Sequence, residues 1–180
     1  MADPIKDTEA KMKKAIEVLK QRYAAVRTGR ATPALVEHLQ VEYYGSKVPL
    51  RQIASISVPE PRTISIQPFD KTAAKEIERA ISASDLGVTP KNDGGIVRLN
   101  LPQLNEERRK ELVKVVKKEA EEAKVVIRNL RREGIEGLKA LKEAEDLTKK
   151  KEEDIQKMTD RESAETDKLL ALKEKEIMEV

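Results

Sequence analysis

The chain has 180 residues, of which 38% are charged and 2% aromatic, and this bias predicts long helices with charged outer faces and thin apolar seams. The formal net charge is only +3, so the total charge alone implies no partner, and the absence of cysteine excludes disulfides and thiol chemistry. No apolar run of about 18 residues is present and the first residues, MADPIKDTEAKMKK, lack the apolar core of a signal peptide, so we expect a cytoplasmic protein with no membrane partner.

Positive charge is concentrated in two parts of the chain. Residues 1–30 carry a net charge of +4 and residues 108–151 a net charge of +6, whereas residues 152–180 carry −5. Such clustering suggests a polyanionic partner, although a solvated helix face is the commoner reason for a run of charge.

A first helix is predicted from about residue 3 to residue 28, where apolar residues recur at alternating steps of four and three. Gly29 and Pro33 follow the last of them and mark its end. The residues that form this seam are Met12, Ile16, Leu19, Tyr23 and Val26.

After Pro33 the sequence pattern changes to short runs rich in β-branched residues, which are typical of strands. Four runs are predicted as strands: LQVEYY (39–44), ASISV (54–58), TISIQPF (63–69) and GIVRLNL (95–101). Residues 71–84 have helical spacing, and NDGG (92–95) is a strong turn signal before the last strand. This region is predicted to form a small α+β unit.

Helical periodicity returns at Leu104, with Asn105 as the N-cap and two glutamates in the first turn. A third helix is predicted from about residue 148 to residue 178, where Glu162 and Glu165 interrupt the apolar face and predict looser packing. The second helix has its seam at Leu112, Val116, Ala120, Ala123, Ile127, Leu130, Gly134, Leu138 and Leu141. The third has Leu147, Ile155, Met158, Leu169, Leu172 and Ile177.

Three helices with single apolar stripes bury those stripes by packing together. We therefore predict an α+β fold: an antiparallel three-helix bundle from residues 1–29 and 106–180, with residues 30–105 inserted as a β/α/β domain. The two chain crossings, near residues 28–33 and 101–106, are short and contain proline or glycine, and they predict a hinge. The hinge residues are Thr28, Gly29, Ala31, Thr32, Pro33, Leu101, Pro102 and Gln103.

Signals of enzymatic chemistry are nearly absent. His38 is the single histidine and has no cysteine with which to build a zinc site or a Cys–His pair. No GxxxxGK[ST] loop is present. The sequence predicts no catalytic residue, no metal and no cofactor, and therefore a protein that is not an enzyme.

A basic stripe follows one side of the second helix, next to its apolar seam: Lys117, Lys124, Arg128, Arg131 and Arg132. It is either a solvated face with ion pairs inside the helix, such as Lys124 with Glu121 or Arg132 with Glu136, or a phosphate-binding surface, which arginine favours through bidentate contacts. Arg27 and Arg30 end the first helix, and Arg108 and Arg109 begin the second, so the basic surface is predicted to continue there. With so few aromatic residues to stack bases, phosphate contacts on folded RNA are favoured over base reading.

Several segments resemble those of ribosome recycling factors, in the expected order along essentially the whole chain. The similar segments are VRTGRATP (26–33), VEYYGSKVPLRQIASISV (41–58), ASDLGVTP (83–90), LPQLNEERRKELVK (101–114) and IRNLRRE (127–133). The resemblance implies an L-shaped molecule with the proportions of a transfer RNA, whose long arm is the bundle and whose short arm is the inserted domain.

The resemblance also implies a function. Such factors bind the post-termination ribosome and, with GTP-bound elongation factor G, split it into subunits, so that mRNA and deacylated tRNA are released. They hydrolyse nothing themselves, and we expect a monomer off the ribosome. The bundle is implied to contact large-subunit rRNA through Arg128, Arg131 and Arg132 and through Arg27 and Arg30, while elongation factor G pushes the hinged domain.

Two other interpretations are open. The helical seams would equally suit a coiled-coil adaptor or structural protein that binds partner helices without ribosome activity. Dispersed carboxylates would suit a magnesium-dependent nuclease, although no clustered ligands indicate one. Salt separates the first alternative from RNA binding, because RNA contacts weaken steeply as salt rises and apolar helix pairing does not.

Overall fold

A computed structural model describes residues 3–179. The helices are α1 (Pro4–Ala25), α2 (Leu50–Ile53), α3 (Ala74–Ala83), α4 (Glu106–Ala140) and α5 (Glu145–Met178). The strands are β1 (Gln40–Tyr43), β2 (Ser46–Pro49), β3 (Ala54–Glu60), β4 (Thr63–Pro68), β5 (Lys91–Asp93) and β6 (Ile96–Asn100). The predicted mixture of long helices and a sheet region is confirmed.

The chain divides into two compact units. Of the described residues, the first unit comprises residues 3–23 and 111–175, and the second comprises residues 24–110 and 176–179. The domain boundaries predicted at residues 29/30 and 105/106 stay a prediction.

The first unit is built by antiparallel packing of α1, α4 and α5. Its apolar centre joins side chains of all three helices, because each helix has one apolar stripe to bury. The central side chains, most of them fully buried, are Met12, Ile16, Ile127, Leu138, Ile155 and Met158.

Helices α1 and α4 approach each other closely at Gly134. A Cβ atom built there would lie 2.5 Å from Thr8 Oγ1 and 3.1 Å from Ile155 Cδ1, so only glycine fits without a shift of its neighbours. Nearer the other end of the same pair of helices, the buried Tyr23 hydroxyl donates a hydrogen bond of 2.8 Å to the carbonyl oxygen of Val116.

Helix α5 differs from its prediction. Glu162 is buried at 7% exposure, between the buried Thr159 and Thr166, and its carboxylate accepts a hydrogen bond from Arg161 Nε at 3.2 Å. The interruption at Glu162 is therefore a packed polar layer and not an exposed gap. Leu147 and Leu172 were predicted on the apolar face, which is wrong: both are exposed, because they lie off the stripe that contacts α1 and α4.

The second unit contains a four-stranded antiparallel sheet in the order β3-β4-β6-β5 and the two-stranded hairpin β1-β2. Alternating residues of β4 and β6 point to one face of the sheet, where Ile64, Ile66, Val97 and Leu99 are fully buried. Helix α3 packs Ile77 and Ile81 into the same core. The opposite face is polar and carries one register row across all four strands: Ser57, Ser65, Arg98 and Lys91.

All four predicted strands and the helix between them are present, but three short elements were missed. β2 and α2 together span only eight residues around Pro49, too short for periodicity to show. β5 was assigned to the NDGG turn because its three residues are polar and exposed. The turn itself is confirmed at Gly94 and Gly95, which have φ angles of +61° and +89°.

Candidate nucleic-acid interface

The basic stripe lies on α4, which is continuous from Glu106 to Ala140. Its start is fixed by Asn105, whose Oδ1 accepts a hydrogen bond of 2.7 Å from the backbone nitrogen of Arg108, as the predicted N-cap requires. One long helix with a buried stripe therefore sets the direction of every side chain on its outer faces.

Arg128 and Arg132 are exposed, and they lie four residues apart on one face. Within residues 3–179, neither guanidinium has a hydrogen-bond or ion-pair partner, and the predicted pair of Arg132 with Glu136 does not form. These two charges are therefore available to a ligand.

Arg131 lies between them and is partly buried against α5. Its Nη1 donates a hydrogen bond of 3.0 Å to Gln156 Oε1, and Gln156 Nε2 donates in turn to Asp160 Oδ1 at 2.9 Å. A neutral amide orients the guanidinium without cancelling its charge. The sequence does not predict the role of Gln156, because nothing in the acidic α5 sequence marks it as a neighbour of Arg131.

Lys117 and Lys124 behave differently, because each pairs with an acidic side chain of α5. Lys117 Nζ lies 3.7 Å from Glu174 Oε1, and Lys124 Nζ lies 2.5 Å from Asp167 Oδ1. The ion-pair interpretation thus holds for these two lysines, but the partners come from the neighbouring helix and not from Glu121 on α4. Arg128, Arg131 and Arg132 are left with no acidic partner among residues 3–179, and we define these three residues as the arginine ridge.

The remaining four basic residues belong to the second unit. Arg27 Nη2 donates to the carbonyl oxygen of Pro102, and burial, together with the charge of Arg108, lowers the pKa of Arg27. The Nε atoms of Arg27 and Arg109 are buried without a hydrogen-bond partner among the described residues. Arg30 and Arg108 are exposed. Arg27 is therefore tied into its own unit by one edge of its guanidinium.

The two predicted hinge segments are anchored on one turn of the sheet. Ala31 N donates 2.8 Å to the carbonyl oxygen of Pro61, and Leu101 N donates 2.7 Å to that of Arg62. Ala31 and Leu101 are also buried, and Thr32 and Pro33 lead directly into a 3₁₀ turn. Thr28, Gly29, Pro102 and Gln103 are not fixed in this way.

The described residues show no cluster typical of a metal site. Residues 3–179 contain no group of three or more histidine, aspartate or glutamate side chains placed to hold a metal ion. His38 Nε2 lies 3.2 Å from Glu37 Oε1 in an exposed position. None of the helices in this part of the chain is both long and apolar enough to cross a membrane.

Comparison with known proteins gives one family. The family model described as Ribosome recycling factor matches residues 19–178. The ribosome-recycling factor of Caldicellulosiruptor bescii is 54% identical over 184 residues that cover 100% of both chains. That of Brevibacillus brevis is 52% identical and covers 98% of this chain and 97% of its own.

The solved structures that match include two that cover nearly the whole chain. The solution structure of a ribosome recycling factor is 48% identical, with a TM-score of 0.79 over 99% of this chain and 97% of its own. The second describes models for the T. thermophilus ribosome recycling factor and the E. coli elongation factor G bound to the E. coli post-termination complex. Its chain is 49% identical, with a TM-score of 0.64 over 98% of this chain and 97% of its own.

Proposed function

The chain belongs to the ribosome recycling factor family. We propose that it binds the post-termination ribosome through large-subunit rRNA. We further propose that, together with GTP-bound elongation factor G, it splits the ribosome into subunits. Splitting releases mRNA and deacylated tRNA for a new round of translation. The similarity to a factor described together with elongation factor G on a post-termination complex supports both partners.

The proposed rRNA contact is supported mainly by the exposure and the surroundings of Arg128 and Arg132. Both are exposed, and neither has an acidic partner among the described residues, although residues 152–180 of the same chain carry a net charge of −5. Two like charges four residues apart on a helix destabilise it slightly, so packing does not explain them. A phosphate backbone would relieve that repulsion through bidentate guanidinium contacts.

We expect the other basic residues to contribute to phosphate binding to different extents. Arg131 keeps its charge and is oriented by Gln156, so it completes the ridge. Lys117 and Lys124 are neutralised by α5 and contribute little to binding. In the second unit, Arg30 and Arg108 are exposed and can reach phosphates, whereas Arg27 and Arg109 act mainly within their unit.

Bending of the hinge is also part of the proposal. We assign residues 1–29 and 106–180 to one rigid body and residues 30–105 to the other, joined at the two crossings. The backbone bonds of Ala31 and Leu101 to the β3–β4 turn support a narrower hinge at Thr28, Gly29, Pro102 and Gln103. In this account elongation factor G supplies the GTP hydrolysis, and the factor, a monomer in the cytoplasm, works by transmitting force and not by catalysis.

A splitting assay tests the function directly. Post-termination ribosomes are incubated with elongation factor G and GTP, with and without this protein, and the two subunits are followed by light scattering. We expect splitting only when all components are present. If the protein leaves the ribosomes intact with an active elongation factor G, the proposed function is wrong.

The hinge is tested by a disulfide engineered between the two crossing segments, which is unambiguous because the chain has no cysteine of its own. The oxidised form should bind ribosomes normally but fail to split them. The same protein after reduction is the matched control and should split them. Normal splitting by the oxidised form would show that bending is not required.

A further inference from the structure

Aromatic side chains are rare in this chain, which has three tyrosines and one phenylalanine, yet three of these four lie next to Asp70 in space or in sequence. Tyr43 and Tyr44 donate hydroxyl hydrogen bonds to Asp70, and Phe69 directly precedes it. Tyr44 is 81% exposed and Phe69, next to Asp70 in sequence, is 73% exposed. No other large apolar or aromatic side chain among residues 3–179 is more than 52% exposed. We define Tyr43, Tyr44 and Phe69, with Asp70, as the aromatic patch. Exposed aromatic residues gathered in one place mark binding sites more often than bare surface.

The patch is held in place by the backbone. Tyr44 and Gly45 form the two-residue turn of the β1–β2 hairpin with φ angles of +47° and +78°, and the Tyr43 and Tyr44 rings meet edge to face with centroids 4.5 Å apart. Phe69 N donates 3.0 Å to the carbonyl oxygen of Ile53. A tyrosine with positive φ is uncommon, and its position at the turn projects the ring into solvent.

Asp70 is fixed by four hydrogen bonds. Its Oδ1 accepts from Thr72 N at 3.0 Å and from Thr72 Oγ1 at 2.7 Å, while its Oδ2 accepts from the hydroxyls of Tyr43 at 3.4 Å and Tyr44 at 3.2 Å. The bonds from Thr72 are the main reason that the pKa of Asp70 lies below its usual value. The carboxylate is therefore ionised at neutral pH and oriented, and the residue is partly exposed to solvent.

Two lysines are candidates to neutralise Asp70: Lys71, the next residue in sequence, and Lys47, on the strand that pairs with β1. Neither forms an ion pair with Asp70. The aliphatic stem of Lys71 lies against Gly95, at the turn between β5 and β6. Lys47 pairs in register with Glu42, which alternates with Tyr43 along β1 and so lies on the other face of the hairpin. Asp70 has no ion pair among the described residues.

A fixed carboxylate beside the exposed Tyr44 ring, with the exposed Phe69 next to it in sequence, matches the chemistry of one ligand group. A guanidinium stacks on aromatic faces and forms an ion pair with a carboxylate, whereas a phosphate backbone is repelled by the carboxylate. We propose that the aromatic patch binds an arginine side chain on an exposed segment of a partner protein. This site is separate from the arginine ridge, and the inference holds whether or not the chain splits ribosomes.

The test uses the full ¹⁵N-labelled chain and the peptide acetyl-Gly-Arg-Gly-Arg-Gly-amide. Saturable amide shifts should be confined to residues 43–45 and 69–72. The matched peptide with citrulline in place of arginine has the same shape without the charge and should cause no saturable shift there. An oligouridylate of similar length should leave these residues unchanged.

Variants assign the roles within the patch. Tyr44→Ala and Phe69→Ala should each weaken peptide binding by about fivefold, because each removes one stacking face. Tyr44→Phe keeps the ring and should stay within about twofold of the parent chain. Asp70→Asn keeps an acceptor for Thr72 but loses the charge and should weaken binding by about fivefold or more. Since the two rings are exposed, thermal unfolding of the alanine variants should match the parent.

Three outcomes would overturn the proposal. The first is the absence of saturable shifts with the arginine peptide, and the second is equal binding of the citrulline peptide. The third is a shift of the patch residues by the oligouridylate, which would make the patch a base-stacking site for RNA.

Discussion

Two stretches of the same helix, α4, carry similar basic residues in different surroundings. Around Val116 to Lys124 the helix is engaged by both neighbours: Tyr23 donates to the Val116 carbonyl, and Lys117 and Lys124 pair with acids of α5. Around Arg128 to Arg132 two guanidinium groups have no partner among the described residues, and the third is oriented by a neutral amide.

The number of positive charges on a helix therefore does not by itself define a binding surface. Each lysine of the first stretch is balanced by a carboxylate on the adjacent helix, so its field at a distance is weak. The ridge has no such balance. We therefore propose that the first stretch stabilises the bundle and that the second binds a polyanion.

Charge reversal of the ridge should have the largest effect. The double variant Arg128→Glu, Arg132→Glu replaces two attractions to phosphate by two repulsions and should weaken binding to post-termination ribosomes by about 100-fold or more. Fluorescence titration of labelled ribosomes measures it. The control Lys157→Glu, Lys168→Glu makes the same change of net charge on exposed residues of α5. If the control loses as much affinity, net charge and not the ridge governs binding.

Removal of Arg131 should have an intermediate effect. Arg131→Ala should weaken ribosome binding by about tenfold, because one charged contact is lost while its neighbours persist. Gln156→Ala leaves the charge but frees the side chain, and should cost about threefold. The same titration serves for both variants, with thermal unfolding to show that the bundle is intact. An unchanged affinity for Arg131→Ala would remove this residue from the ridge.

Tyr23→Phe probes the first stretch and should change stability without changing binding. Loss of its hydrogen bond to Val116 should lower the unfolding free energy by about 1 kcal/mol. Burial raises the pKa of Tyr23 to about 12, above its ordinary value of 10.0. The folded state thus holds this proton more tightly, so the contribution of Tyr23 is present below pH 10 and is lost as the pH rises towards 12. Denaturant titrations at several pH values should show this dependence in the parent and not in the variant.

The lysine pair should give the smallest effect. Lys117→Ala, Lys124→Ala removes two surface ion pairs, and should lower the unfolding free energy by about 0.5–1 kcal/mol and leave ribosome affinity within about twofold. Chemical denaturation and the binding titration measure the two quantities. A tenfold loss of affinity with unchanged stability would place these lysines in the binding surface after all.

The sequence predicted the fold well where long-range patterns exist. Seams such as Met12, Ile16 and Leu19 on α1 extend over several turns, and periodicity then identifies both the helix and its buried face. Prediction from the sequence failed where an element is short or polar, as for β2 and β5. It also failed where an apolar residue such as Leu172 lies off the buried stripe of α5. Burial of Glu162 depends on Arg161 and on neighbouring helices, which no local pattern contains.

The candidate site was predictable in part, and for a similar reason. The spacing of Arg128, Arg131 and Arg132 on one side of a helix follows from helical geometry alone. The lack of acidic partners for these arginines among the described residues does not follow from helical geometry, because it depends on which α5 residues face them. The pairing of Lys124 with Asp167, 43 positions later, could not be read from neighbours in the sequence. Likewise, Tyr44 and Asp70 meet only through the packing of the hairpin.

The salt dependence of ribosome binding tests the central claim most directly. Each phosphate contact contributes about 0.7–0.9 to the slope of log K against log salt concentration, so Arg128→Ala, Arg132→Ala should flatten that slope by about 1.4–1.8. Lys117→Ala, Lys124→Ala should leave the slope of the parent chain unchanged. Equal flattening by the two double variants, or none by the arginine variant, would contradict the assignment of phosphate contact to the ridge.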